Sequence, residues 1–181
     1  MLEAATCGRC LRHPPAFDAT VSALEYRFPV DRLVQRFKFA GDLAIGHWLG
    51  ECLENAVAEE EPPDFLVATP LTRSRLRERG FNQAMVLARI VGAARAIRVE
   101  IEGVEKVRDT QAQHGLSRKE RHANLRAAFR VRHAIPGAHV AIVDDVMTTG
   151  ATAEAMARVL REAGARRVVA WVLARTPDPG H

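Results

Sequence analysis

Apolar residues follow two rhythms along this chain: short unbroken runs, and stripes at three- and four-residue spacing. Residues 19–28 read as a strand or a hairpin arm. Val30, Leu33, Val34 and Phe37 then share one helical face, and Gly41 is placed to end that helix. A second helix follows Asp42, with Ile45, Leu49, Cys52, Leu53 and Ala56 on one stripe, until Pro62 and Pro63 break it. Residues 64–69 (DFLVAT), bounded by Pro70, predict a buried parallel strand. Leu71 to Gly80 reads as a basic loop. Asn82 is a predicted N-cap, with Phe81 and Val86 spaced for a hydrophobic staple. Ala84, Leu87, Ala88 and Val91 line the inner face of the helix it opens.

Val99 to Val107 alternates and predicts one strand. Arg108 to Gly115 is polar and aperiodic, which predicts a mobile loop. Ser117 and Glu120 form a capping-box pair that opens a short helix to about Ala127. Phe129 to Val131 predicts a short strand, and Val140 to Val143 a longer one running into Asp144-Asp145. The next helix turns Met156, Val159, Leu160 and Ala163 inward and stops at Gly164. Val168 to Ala174 is a last buried strand. Strands alternating with helices predict an α/β domain with a mainly parallel central sheet flanked by helices.

Composition narrows the class. A chain of 181 residues with 48% hydrophobic content buries one ordinary core, which excludes wholesale disorder. No apolar run approaches the ~18 residues needed to span a bilayer, so membrane insertion is not expected. The N-terminus has neither a basic start nor an apolar stretch, and three cysteines form no even framework. A cytoplasmic location is the expectation. The net charge of +4 is too small to argue nucleic-acid binding by itself, but its placement is uneven. Residues 71–79 carry four Arg against one Glu, and residues 105–132 carry eight Lys or Arg against three acids. Two Arg-rich segments of this kind suit a phosphate-bearing ligand, because guanidinium presents a planar donor fork.

The strongest chemical signal is Val140 to Thr152, VAIVDDVMTTGAT. An apolar strand delivers Asp144 and Asp145 at its carboxyl end, where open α/β sheets bind ligands. Thr148-Thr149-Gly150-Ala151-Thr152 then opens a helix, so backbone N–H groups and the helix dipole face an anion. The carboxylates suit a sugar diol or Mg2+. A phosphate at one end and vicinal hydroxyls at the other describe a ribose 5-phosphate unit. This stretch resembles the 5-phosphoribosyl-1-pyrophosphate (PRPP) motif of type I phosphoribosyltransferases. The resemblance implies that fold and a PRPP site of Asp144, Asp145, Val146, Met147, Thr148, Thr149, Gly150, Ala151 and Thr152. Asp144 and Asp145 would take the ribose hydroxyls, with Mg2+ accompanying PRPP.

A second stretch, Thr69 to Gln83 (TPLTRSRLRERGFNQ), resembles the ComF (competence protein F / GntX) family. Supporting pieces are Arg36 to Asp42 (RFKFAGD) and Arg108, Thr110, Gln111, Leu116, Arg121, Asn124 and Phe129. The resemblance implies a pyrophosphate site of Pro70, Leu71, Thr72, Arg73, Lys106 and Arg108, with the loop near Lys106 to Gly115 closing over it. Asp144, Asp145 and Arg108 would carry catalysis, Arg108 by stabilising charge on departing pyrophosphate. Thr72 departs from the basic or histidine residue of many members, leaving that loop less charged. For Phe81 and Asn82 a capped helix start and a ligand role both remain open. The implied layout is a zinc-ribbon-like segment over residues 1–16 and a phosphoribosyltransferase-like domain, with a small N-terminal hood, over 17–181.

Cys7-Gly8-Arg9-Cys10 is half of a tetrahedral zinc site. The family usually carries two such pairs, so a truncated remnant is expected here, completed by zinc only where an upstream pair accompanies it. His13 adds one further ligand at most. The family also implies a link to competence or nucleotide metabolism, with DNA-uptake proteins and single-stranded DNA as partners. Two functions stay open at this point: a transferase moving the 5-phosphoribosyl group to a nitrogen nucleophile, and a non-catalytic PRPP-sensing adaptor in DNA uptake.

Overall fold

The computed structural model describes residues 14–101, 103–107 and 128–177. Its centre is a five-stranded sheet built from Ala19–Glu25 (β1), Phe65–Ala68 (β2), Val99–Glu100 (β3), His139–Met147 (β6) and Arg167–Arg175 (β7). The strand order is β1-β7-β6-β2-β3, and every neighbouring pair is parallel. Val104–Lys106 (β4) and Phe129–Val131 (β5) form a separate antiparallel ladder. The helices are Val30–Gln35 (α1), Leu43–Ala56 (α2), Arg73–Arg79 (α3), Gln83–Ala94 (α4) and Ala151–Glu162 (α5), with a π-turn over Arg36–Ala40 after α1. The mainly parallel α/β architecture expected from the alternation of elements is the one observed.

Side-chain alternation along β6 and β7 sorts the core into two layers. Ala141, Val143, Val169, Trp171 and Leu173 face α1, α2 and α4, meeting Val34, Leu49, Leu53, Leu87 and Val91. Val140, Ile142 and Val168 face α5 and the β4–β5 ladder, meeting Met156, Leu160 and Phe129. The chain therefore leaves β2 through α4 on one face and leaves β6 through α5 on the other. Strand order reverses between β2 and β6, and the carboxyl ends of those strands border the crevice where open α/β sheets bind ligands.

Several local expectations are corrected. Residues 71–80 are not a loop: α3 starts at Arg73, with Thr72 as N-cap accepting from the Arg75 N–H and Gly80 closing it at φ +78°. None of its seven residues is buried, so hydrophobic periodicity could not reveal it, although its Arg and Leu residues favour helix. On α2, Ala56 is exposed and Cys52 half-buried, while Gly46 and Gly50 lie on the buried face with Leu49 and Leu53. A Cβ at Gly50 would stand 2.4 Å from Ile90 Cδ1, so Gly50 lets α2 and α4 approach closely, while Gly46 makes room for the Phe37 ring. The single strand expected over 99–107 is two strands: β3 pairs for two residues with β2, then the chain turns to β4 and pairs with β5. Alternation is the same whichever sheet a strand joins. Of the strand and hairpin arm left open over residues 19–28, the strand is the one observed: β1 runs parallel to β7 at the sheet edge.

Residues 14–18 are fastened across α5 and β7. Arg161 Nη2 donates to both Asp18 oxygens at 2.6 and 2.5 Å, and the Val168 N–H donates to Asp18 Oδ2 at 2.8 Å. The Ala16 N–H reaches Glu154 Oε2 at 2.6 Å, and Phe17 packs with Met147, Ala153, Ala170 and Val172. Within the segment expected as a hood, β1 thus joins the sheet, while the π-turn reaches the carboxyl end of β6. Cys7, Cys10, His13, the expected mobile loop 108–115 and the expected helix 117–127 lie outside the described residues.

Candidate functional site

Asp144 and Asp145 continue β6 past the buried run 139–143, each half-buried at the sheet's carboxyl end. β2 stops one register earlier: Ala68 pairs with Val143, and the Thr69 N–H donates to the Val143 carbonyl at 2.9 Å. Pro70 to Arg73 therefore leave the sheet beside the acidic pair. Asn82 ties this loop down, its Nδ2 donating to the Thr69 carbonyl at 3.0 Å while its Oδ1 accepts from the Met85 N–H. Asn82 thus makes the N-cap expected of it. Phe81 packs against the core, its ring centroid 5.5 Å from that of Phe37.

On the other side of the pair, Val146 and Met147 complete β6, and Thr148 to Gly150 turn the chain into α5. Gly150 sits at φ +76° as the N-cap, and no side chain caps the helix. Apart from the Ala151 N–H, which reaches Thr149 Oγ1, the first N–H groups of α5 have no side-chain cap, on a twelve-residue helix whose dipole favours an anion there. Thr148 and Thr149 are exposed, and Thr149 Oγ1 lies 3.4 Å from the Ala151 nitrogen. Glu154, a carboxylate in this first turn, is held by the Ala16 N–H and, at 2.5 Å, by Arg158. A Cβ at Gly150 would meet only ordinary contacts, Met147 Sδ and Phe17 Cζ, both at 3.8 Å. Gly150→Ala should accordingly cost about 1 kcal/mol through its positive φ alone. Urea unfolding checks this, and a loss above about 3 kcal/mol would contradict it.

Electrostatics at the pair are unusual. Burial, and then the charge of Asp145, push the Asp144 carboxyl up from 3.8 to about 7. The Asp145 N–H, which donates to Asp144 Oδ1 at 2.9 Å, opposes the shift, as do Lys38 and the nearby Thr69 hydroxyl. Lys38 comes from the π-turn, and its Nζ stands 2.9 Å from Asp145 Oδ2, with the two side chains 15% and 14% exposed. Sequence reasoning assigned Lys38 no role; it lay within RFKFAGD, a stretch used only for its resemblance. The rest of that stretch is structural. Arg36 pairs with Asp42 at 2.8 Å, Asp42 caps α2, and Gly41 takes φ +63°.

The remaining expected site residues are placed less centrally. Thr72 is 6% exposed, its hydroxyl engaged with Ser74 Oγ at 3.0 Å and with the α3 cap. Arg73, Arg75 and Arg77 are exposed on α3, whereas Arg79 donates to Gln83 Oε1 at 3.0 Å and lies over the Phe39 ring. Lys106 belongs to the β4–β5 ladder, its ammonium 5.7 Å from the Phe129 ring centroid. Arg108 lies outside the described residues. Among the described residues no cluster of three or more His, Cys, Asp or Glu is arranged to hold a metal ion, and no helix is long and apolar enough to cross a membrane.

A parallel sheet with an acidic strand end leading into a glycine-opened helix defines a phosphoribosyltransferase-like domain, and the family model for the phosphoribosyl transferase domain matches residues 42–180. The fold agrees with glutamine PRPP amidotransferase from B. subtilis, at TM-score 0.50 and 22% identity over 75% of this chain and 27% of that one. Within that class, the chain belongs to the ComF (competence protein F) family. It is 36% identical to DNA utilization protein YhgH of Escherichia coli over 94% of this chain and 78% of that protein. It is 35% identical to competence protein F of Haemophilus influenzae over 93% and 78%.

Proposed function

We propose that this protein binds PRPP together with Mg2+ in the crevice between β2 and β6. The observation that carries the reading is the direct succession, on one strand and one turn, of the acidic pair and the uncapped start of α5. The ribose hydroxyls donate to Asp144 and Asp145, and the 5-phosphate takes the N–H groups and hydroxyls of Thr148 to Thr152. The residues also fit a cation: burial and then the Asp145 charge raise Asp144, and a bound divalent ion or a diol's donors would relieve the second of these. When bound, Mg2+ supplies charge neutralisation for the pyrophosphate oxygens of PRPP. Pro70, Leu71, Thr72 and Arg73, beside the pair, flank the pyrophosphate; Lys106, on β4, and Arg108 are assigned to it as well.

Binding is separable from transfer. With Thr72 neutral and committed to the α3 cap, the pyrophosphate loop lacks a cation at that position, which favours a PRPP-responsive adaptor over an efficient transferase. The names of the relatives connect either role to the use or uptake of DNA. Calorimetry with Mg·PRPP should give saturable binding, and Asp145→Asn should weaken it at least ~50-fold, about 2.3 kcal/mol. Pyrophosphate release across a nucleobase panel then separates the two roles. Undiminished binding by the Asp145→Asn protein would overturn the site.

A further inference from the structure

We infer that Lys38 is a built-in counter-ion that bars bare divalent metal from the acidic pair, so that metal enters only with a phosphorylated ligand. This role for Lys38 rests on the proposal that Asp144 and Asp145 seat the diol and the cation. The contact is of a different kind from an ordinary surface pair such as Arg27–Glu25, whose side chains are 73% and 58% exposed. The Lys38–Asp145 pair is drawn inward, with neither side chain more than 15% exposed.

The backbone is shaped to hold it there. Lys38 sits in a π-turn, a widened turn that departs from the helix leading into it and that recurs at functional sites. Phe37, fully buried, anchors the turn from below, where a Cβ on Gly46 would stand 2.4 Å from its ring. Gln83, 1% exposed, holds it from the side, with Nε2 donating to the Lys38 carbonyl at 3.5 Å. The backbone of the turn is held this way, so the lysine stem leaves it from a fixed place beside Asp145.

A bare divalent cation bound by the pair would compete with Lys38 for the Asp145 carboxylate, whose Oδ2 the ammonium already holds. Taking it would leave an ammonium partly buried and facing a second positive charge, which is strongly unfavourable away from bulk water. A cation arriving on a pyrophosphate changes the balance, because the ligand's own oxygens complete the metal's coordination and supply negative charge for Lys38. The acidic pair is thus kept from scavenging free metal, and occupancy reports the phosphorylated sugar and not the metal concentration.

The probe is Mn2+ alone, with free Mn2+ read by electron paramagnetic resonance on the full chain without any phosphorylated ligand. Lys38→Met should bind Mn2+ at least ~10-fold more tightly than wild type, while Lys38→Arg should match wild type. Adding Asp145→Asn to Lys38→Met should abolish the gain. Lys38→Gln, of similar length and polar, serves if the Met variant does not fold. Equal Mn2+ affinity in wild type and in the neutral variants overturns the inference, as does a gain that survives Asp145→Asn. A separate arm adds PRPP to wild type and should recruit Mn2+. Failure of that arm alone, with the Lys38→Met gain intact, would count against PRPP as the ligand and leave the role of Lys38 standing.

Discussion

Asp144→Asn is expected to make the domain more stable at pH 8 while removing most of its hold on PRPP. The sign comes from the raised carboxyl. Folding lifts Asp144 from 3.8 to about 7, so the folded form holds its proton more tightly than the unfolded chain does. The associated stability is fully present below pH 4 and is lost as pH rises to 7, leaving a half-buried charge beside Asp145 at pH 8. Asparagine never acquires that charge. The full shift corresponds to about 4 kcal/mol, and local relaxation should leave about half of it, roughly 2 kcal/mol. Urea unfolding of both proteins between pH 4 and pH 8 should give curves that converge toward the acid end. His139, whose buried ring beside Arg167 is held below its ordinary value, loses stability as pH falls in both proteins and cancels in the difference. A variant no more stable than wild type at pH 8 would refute the account. A more stable variant would make the pair an example of stability given up for binding.

Phe37→Ala should destabilise the protein by about 3 to 4 kcal/mol, lowering Tm by roughly 10 °C. The ring is fully buried between α2 and the Phe81 ring, and it rests on Gly46 so closely that little around it can collapse into the space. Rigid walls leave a cavity, and a cavity that stays open costs most. The effect should also reach the site, because Lys38 is the next residue along the π-turn. In the folded fraction, Mn2+ affinity should rise as it does for Lys38→Met, since a loosened turn no longer pins the ammonium on Asp145. Urea unfolding together with Mn2+ titration checks both halves. A stability loss under 1 kcal/mol would mean that the ring's packing is not what holds the turn.

How far the site could be read beforehand differed from residue to residue. Asp144, Asp145 and the Thr148–Thr152 turn were legible because all their geometry is local: one strand end, one glycine, one helix start within thirteen residues. The Asn82 cap was legible for the same reason, but its second bond, to the Thr69 carbonyl, spans thirteen residues and was not. Lys38 was invisible. It lies 107 residues from Asp145, on a helix face whose apolar stripe predicts only that Val34 and Phe37 turn inward. Nothing in the spacing of RFKFAGD announces a π-turn, whose extra residue per turn is what directs Lys38 off that stripe.

The central elements followed from the sequence by itself, because their residues are chosen by burial. β2, β6, β7, α4 and α5 carry unbroken apolar runs or regular stripes, and a chain that must hide those surfaces has few arrangements other than a parallel sheet between helices. Elements that bury little left no such mark. α3 has no buried residue, and β3 and β4 alternate alike while joining different sheets. Only the tertiary structure decided that β2 and β6 are neighbours, that the strand order reverses between them, and that a lysine from the amino-terminal part of the chain closes on the acidic pair there. Periodicity records how deeply a residue is buried. It does not record which distant residue it meets, because pairing between parallel strands and between charges is settled by the packing of the whole chain.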